Sequence, residues 1–229
     1  MHFHSLLAPA ICALAFASTP AFGVIINGSG IITDGQADYL TGLIGGDQQL
    51  TKIFTSTYGD TLNASNFHSA ADGQGDTFTV LRLANGEIVG GYNPYSWGSN
   101  NTYSVGTGGF LFNLTENRLQ NQNTSAYGGY TAVNSATYAA VFGGGYDLYV
   151  ETDLNHAGTY QISYGANTVG GLNIMGDLTP SGALYQISAM EVFTVAASTA
   201  VPDGGATVAL LGLSLGGIVW VRRKVGIKA

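Results

Sequence analysis

The chain has 229 residues, 45% of them hydrophobic and only 9% charged, with 34 glycines and 13 tyrosines. High hydrophobicity with low charge excludes a disordered chain, the length provides for one domain with appendages, and the wealth of Gly, Tyr, Phe, Asn, Ser and Thr fits short strands joined by polar turns. All fourteen acidic residues lie from Asp34 to Asp203 and four of the seven Lys/Arg follow residue 221, so residues 24–203 carry 3 − 14 = −11, a sign that sets aside nucleic-acid binding.

Residues 1–23 hold an apolar stretch from Leu6 to Ala17 followed by Ala21-Phe22-Gly23, the pattern of a secretory signal peptide, with His2 and His4 where Lys or Arg is usual. Its removal takes Cys12, the only cysteine, and leaves a mature protein without thiol chemistry, a disulfide or a cysteine metal site. Asp34 is positioned to cap a helix through Ala37, Leu40 and Ile44, which Gly45-Gly46 ends. Asn63 caps a second short helix over residues 64–71. Strands are expected at residues 77–83, 87–92, 109–114, 146–151 and 186–195, with Asn85-Gly86 turning the first two into a hairpin. Many short strands after a helical entry indicate an antiparallel sandwich with helices packed outside.

Four pieces of this body, "IFTSTYGDTLNASNFHSAADGQGDTFTVLRLANGEIVGGYNPYSW", "GGFLFNL", "FGGGYDLYV" and "SAMEVFTV", resemble in order and approximate spacing the TLDc domain, the module of eukaryotic oxidation-resistance proteins, over residues 31–195. The resemblance implies a mainly β (α+β) fold, a two-sheet antiparallel β-sandwich with a few short helices at its edge. The chain departs from the family in having Thr51-Lys52 where an aromatic usually precedes the "IF" strand, in lacking a cysteine near Ala71, and in an Asn/Gly/Tyr-rich stretch over residues 117–136. The absent cysteine makes a thiol-based antioxidant role untenable. In eukaryotic relatives the domain is associated with protection from oxidative damage and with binding to the vacuolar-type proton ATPase; an exported bacterial protein would not meet that complex, so the partner is not carried over.

Gly143, Gly144 and Gly145 precede a strand, with no helix N-terminus and no Lys-Ser/Thr to complete a phosphate site. They are read as conformational, admitting positive φ and close backbone approach. Asp147 and Glu191 fall within strands, where acids are disfavoured. A buried carboxylate usually accepts hydrogen bonds that fix a turn; alternatively the two border a binding surface, or form the carboxylate pair of a hydrolase. Tyr92, Tyr95, Trp97 and Tyr103 could present a flat face to protein or glycan, or equally pack in the core. His68 is expected at the rim of the second helix. His156 with Glu151 and Asp153, and Asp72 with Asp76, offer possible cation ligands, but ligands at such spacing in irregular loops arise often by chance. No catalytic residue, metal or cofactor is assigned.

After a linker over residues 196–205 come sixteen uncharged residues, 206–221, then Arg222, Arg223 and Lys224 in a basic tail, 222–229. As a helix the apolar run would be about 24 Å long, slightly short of a hydrocarbon core, and the basic end places the body outside and the tail in the cytoplasm. Val201-Pro202-Asp203-Gly204-Gly205 ahead of it is similar to the VPDSG variant of the PEP-CTERM sorting signals, with Gly for Ser. That resemblance implies processing by an exosortase-like membrane protease after signal peptidase. Ser214 in Gly-Leu-Ser-Leu-Gly matches a nucleophile pattern, but it lacks the strand, helix and His/Asp partners and reads as a packing residue. The expectation is an interaction module, possible in stress protection, tethered transiently to the inner membrane through residues 206–221 and then sorted to the envelope, outer surface or matrix. Its ligand would be an unidentified protein or glycan; a hydrolase of cell-surface polymer and a glycan-binding module are the alternatives.

Overall fold

A computed structural model describes residues 25–46, 48–123, 129–164, 172–176, 178 and 182–197. The expected signal peptide, the sorting motif, the apolar span and the basic tail lie outside them. Among the described residues no helix is long and apolar enough to cross a membrane.

The chain enters through β1 (Ile25–Ile26), which pairs in parallel with β2 (Gln48–Thr57). Between them runs α1 (Asp34–Leu43). Its cap is Thr33, one residue before the expected Asp34, because Thr33 is still extended and exchanges side-chain and backbone hydrogen bonds with Gln36 in a capping box; Asp34 already lies in the first turn. The second helix, α2 (Ala64–Ala71), has Asn63 as its cap and the matching box with Asn66. β3 (Thr77–Leu83) and β4 (Ile88–Asn93) form the hairpin. Leu83 accepts from the Gly86 amide and donates to the Glu87 carbonyl, so Gly86, at φ +94°, is the left-handed residue of a three-residue loop.

Shorter strands follow: β5 (Thr102–Val105), β6 (Phe110–Asn113), β7 (Arg118–Asn121), β8 (Tyr130–Asn134), β9 (Val141–Phe142), β10 (Leu148–Val150) and β11 (His156–Gly158). The last, β12 (Leu184–Ala197), is 14 residues long. The fold is therefore mainly antiparallel β with two short helices. The expected pair of sheets is hydrogen-bonded into one path, β5-β8-β9-β10-β11-β12-β3-β4-β6-β7. β12 is the joint. Its first three residues pair with β11, and residues 187–197 pair with β3 and β2. Register shifts at Val192/Phe193 and Ile187/Ala189 mark where the strand is irregular, as a strand serving two limbs must be to bend.

The path folds back on itself. Leu81, Leu111 and Val192 from one limb share a core with Phe142, Leu148 and Val150 from the other, closed by Phe67 of α2 and by Trp97. The limbs approach closely at Gly91, where a Cβ would stand 2.6 Å from the Phe142 ring. The outer face of the β2-β12-β3-β4-β6 limb carries Leu50, Phe193, Phe78, Phe110 and Phe112, and α1 covers it with Ala37 and Leu40. Glycine at 91 is thus required for the approach of the limbs. Gly91→Ala should destabilise the protein by about 1–3 kcal/mol through overpacking, and adding Phe142→Leu should recover part of that loss; urea unfolding of both single variants and the double variant measures the coupling.

Candidate functional site

The triple glycine forms the turn between β9 and β10. Gly143 sits at φ +76°, and a Cβ there would lie 2.1 Å from Asp147 Oδ2, so this glycine is required both by its dihedral and by the carboxylate behind it. Asp147 is 1% exposed. Its Oδ1 accepts backbone N–H groups from Ile162, Ser163 (2.5 Å) and Tyr164 (2.8 Å), while Oδ2 is buried without a hydrogen-bond partner. Burial pushes the Asp147 carboxyl above its ordinary value against the opposing pull of these hydrogen bonds. The carboxylate fastens residues 162–164 to the glycine turn, and the Gly145 amide adds a bond to Ser163 Oγ at 3.2 Å.

What this fastening builds is a cleft of about 380 Å³ lined by Tyr138, Gly145, Tyr146, Tyr149, Tyr160 and Ile162. The rings of Tyr138, Tyr146 and Tyr149 meet edge to face at 5.7–5.8 Å, and Tyr160 stacks on Tyr149 at 5.8 Å and 17°. Tyr146 holds φ +60°, a left-handed backbone uncommon for an aromatic residue. Its amide donates to Gly143 and its carbonyl accepts from Tyr160. Tyr149 lies across Gly158, where a Cβ would be 2.4 Å from its ring. Burial, then the neighbouring Tyr160 and Glu151, push the Tyr149 phenol up to about 12, and burial also raises Tyr146. These hydroxyls therefore stay neutral donors at ordinary pH.

His68 belongs to this architecture. The expectation placed it at the rim, but it is buried, because Nδ1 faces Asp72 Oδ1 at 2.7 Å and Nε2 faces the Tyr138 carbonyl at 2.9 Å. It ties α2 to the tyrosine wall. Asp72 is engaged there and Asp76 accepts from the Tyr92 hydroxyl at 2.8 Å, so these two acids serve different contacts. His156 lies 3.7 Å from Asp153. Among the described residues no group of three or more His, Cys, Asp or Glu side chains is arranged to hold a metal.

Glu191 sits elsewhere, at the middle of β12 and 3% exposed. It accepts from Ser29 Oγ at 2.5 Å, the Gly30 amide at 2.9 Å and Lys52 Nζ at 3.2 Å. Arg82 donates to the Gly30 and Ile31 carbonyls from the neighbouring strand. Together these groups clasp the entering segment onto the sheet. Asp147 and Glu191 share no partner and do not converge on a cleft. Trp97 is likewise not a surface platform: it is 2% exposed, its Nε1 donates to Thr77 Oγ1 at 2.8 Å, and it packs edge to face on Phe67 and Phe142, which corrects its expected place at a binding face. Tyr95 is half-buried, with its ring over Gly106. Tyr103 is exposed and stacks on Tyr130. None of the aromatic residues expected to bind lines the cleft. Its own tyrosines belong to a cluster, since seven of the thirteen tyrosines lie from Tyr127 to Tyr164; that density was the signal available.

A family model of the TLDc domain matches residues 25–196. The chain belongs to the TLDc family. A VPDSG-CTERM motif matches residues 200–225, on the segment that carries Val201, Pro202, Asp203, Gly204 and Gly205, and no curated protein matches the chain. In this TLDc domain the family motif "FGGGYDLYV" thus holds the Gly143–Asp147 fastening, and "SAMEVFTV" holds the Glu191 clasp.

Two outcomes test these fastenings. The folded carboxyl of Asp147 is raised above 3.8, so its favourable contribution to stability is full below that value and is lost as pH rises through the folded value. The stability of Asp147→Asn relative to the unaltered protein should therefore improve between about pH 4 and about pH 7, as measured by urea unfolding at both. Glu191→Ala removes three donors' common acceptor and should cost about 3 kcal/mol. Hydrogen exchange should show loss of protection concentrated at residues 29–32.

Proposed function

We propose that this TLDc domain is an exported interaction module without catalytic activity, delivered to the cell envelope by its C-terminal signal and acting there by binding. The observation that carries this reading is the employment of the two motif carboxylates: both are buried, Asp147 accepting from three backbone amides and Glu191 from the Gly30 amide, the Ser29 hydroxyl and the Lys52 ammonium. A glycosidase needs two carboxyl groups facing one cleft about 5–9.5 Å apart, and Asp147 and Glu191 serve separate parts of the fold. A protective role under stress would then work by contact with a partner. Its chemistry would not be that of a thiol, since Cys12, the sole cysteine, leaves with the signal peptide in this reading.

The C-terminal motif points to export and envelope association, and it suggests processing by an exosortase-type enzyme. In the proposed sequence signal peptidase acts first, residues 206–221 hold the chain in the inner membrane, and cleavage near Val201-Pro202-Asp203-Gly204-Gly205 releases the body to the outer surface or matrix. Expression of the full chain and of a chain lacking residues 201–229, in a host that has the processing enzyme, tests this by fractionation. The full chain should accumulate in the envelope fraction in a shortened form, and the truncated chain should appear in the soluble exported fraction. Equal distribution of the two would refute the sorting role.

A further inference from the structure

We propose that the cleft of Tyr138, Tyr146, Tyr149 and Tyr160, with Gly145 and Ile162, binds a neutral glycan, taking one or two sugar rings of an envelope or matrix polysaccharide. The proposal rests on the reading of the protein as an exported binding module and supplies the site and ligand class which that reading leaves open.

The cleft is held in shape from several directions. Tyr146 is kept in a left-handed conformation, a local strain that persists only where surrounding contacts over-determine it. Here those contacts are the Gly143 and Tyr160 backbone bonds and the Asp147 fastening of Ile162. Tyr138 is fixed through its carbonyl by His68 and through its amide by Ser135 Oγ. The floor is tight at Gly158 beneath Tyr149 and at Gly145 beside Ile162, where a Cβ would meet the isoleucine at 2.5 Å. At the mouth Tyr160 is 42% exposed. An exposed aromatic ring stacked on a second one, beside two more set nearly perpendicular, presents apolar faces and hydroxyls to one space.

Charge selects the occupant. No Asp, Glu, Lys, Arg or His is among the six lining residues, and the domain around them carries a large negative excess. A phosphate or an acidic polysaccharide would find no cation in the cleft and a repulsive field outside it. A neutral sugar ring matches it, because its C–H face lies on an aromatic ring and its hydroxyls exchange hydrogen bonds with phenols. The volume, about 380 Å³, is at the lower end of the range for small-ligand sites, which suits a ring or two of a polymer passing over the mouth. An organic cation is the competing ligand for tyrosine faces.

Affinity electrophoresis of the full chain in mild detergent, in native gels containing dextran, hydroxyethylcellulose, galactomannan or the anionic polymer alginate, tests the proposal. At least one neutral polymer should retard the protein and alginate should not. Tyr160→Ala should weaken that retardation by about fivefold or more, Tyr160→Phe should keep most of it, and Tyr58→Ala, an exposed tyrosine outside the cleft, should leave it unchanged. Circular dichroism should show all three variants folded. Absence of retardation by every neutral polymer overturns the proposal, as does retardation that Tyr160→Ala leaves intact. Saturable quenching of tyrosine fluorescence by tetramethylammonium, lost in Tyr160→Ala, would overturn it in favour of a cation site. Fractionation of the full chain is independent of these gels, so an empty cleft in a correctly sorted protein refutes the glycan and leaves the exported module standing.

Discussion

Everything in this domain is referred to one strand that must satisfy two sets of neighbours. β12 supplies the partners of β11 with its first residues and those of β2 and β3 with the rest. A long strand can do this only by bending, and its irregularity at Ile187/Ala189 falls beside the residues where the partner changes from β11. The inner core then has to be filled by residues of both limbs, and that is where Phe142, Trp97 and Leu111 meet. Closure is non-local throughout, with β12 at the end of the domain joined to β2 and β3 near its beginning. Such pairings incur loop-closure entropy before packing offsets it. The Glu191 clasp gains significance in that setting: it ties Ser29 and Gly30 to the last strand, so a single buried carboxylate connects the two ends of the domain.

Glycine has a second function at this joint besides turning. Gly91 lets the Phe142 ring lie against a strand backbone, Gly158 does the same for Tyr149, and Gly143 leaves room for a carboxylate oxygen. In each place a side chain from one segment occupies the volume that a Cβ of another would need. The high glycine content of the chain is therefore partly a packing requirement of aromatic residues. At these places large rings lie against bare backbone, which gives dense packing.

The helices, their glycine terminator, the first hairpin and the long last strand could be read from the chain, because each has a periodic apolar pattern or a strong local signal. α2 with its Asn63 cap and β3 were found at their true limits. β7, β9 and β11 were not, since strands of two to four residues such as Arg118–Asn121 and His156–Gly158 are too short and too polar to show alternation. Their existence depends on what lies beside them. The same reason hid the cleft: Tyr149 comes from β10 and Tyr138, Tyr146 and Tyr160 from three connecting segments, and they are assembled by the fastening of residues 162–164 to the glycine turn and by His68 on Tyr138. Trp97 shows the opposite failure. Its polar sequence surroundings, Asn93 to Asn100, suggest a surface loop, yet the loop folds inward and the indole nitrogen finds Thr77.

Buried acids invite a catalytic interpretation, and the two motif carboxylates here illustrate when it should be resisted. A catalytic acid needs its functional oxygen in contact with solvent or substrate, whereas Asp147 directs one oxygen at three consecutive backbone amides and the other at the α-carbon of Gly143. Its raised protonation equilibrium follows from burial alone and needs no reaction to explain it. Glu191 has Lys52, the Ser29 hydroxyl and the Gly30 amide around it and no open side. Both are fasteners whose removal would loosen a surface some distance away. In this arrangement Asp147 holds the turn beside the tyrosine cleft and Glu191 holds the entering segment, and the motifs touch the cleft's tyrosines only at Tyr146 and Tyr149.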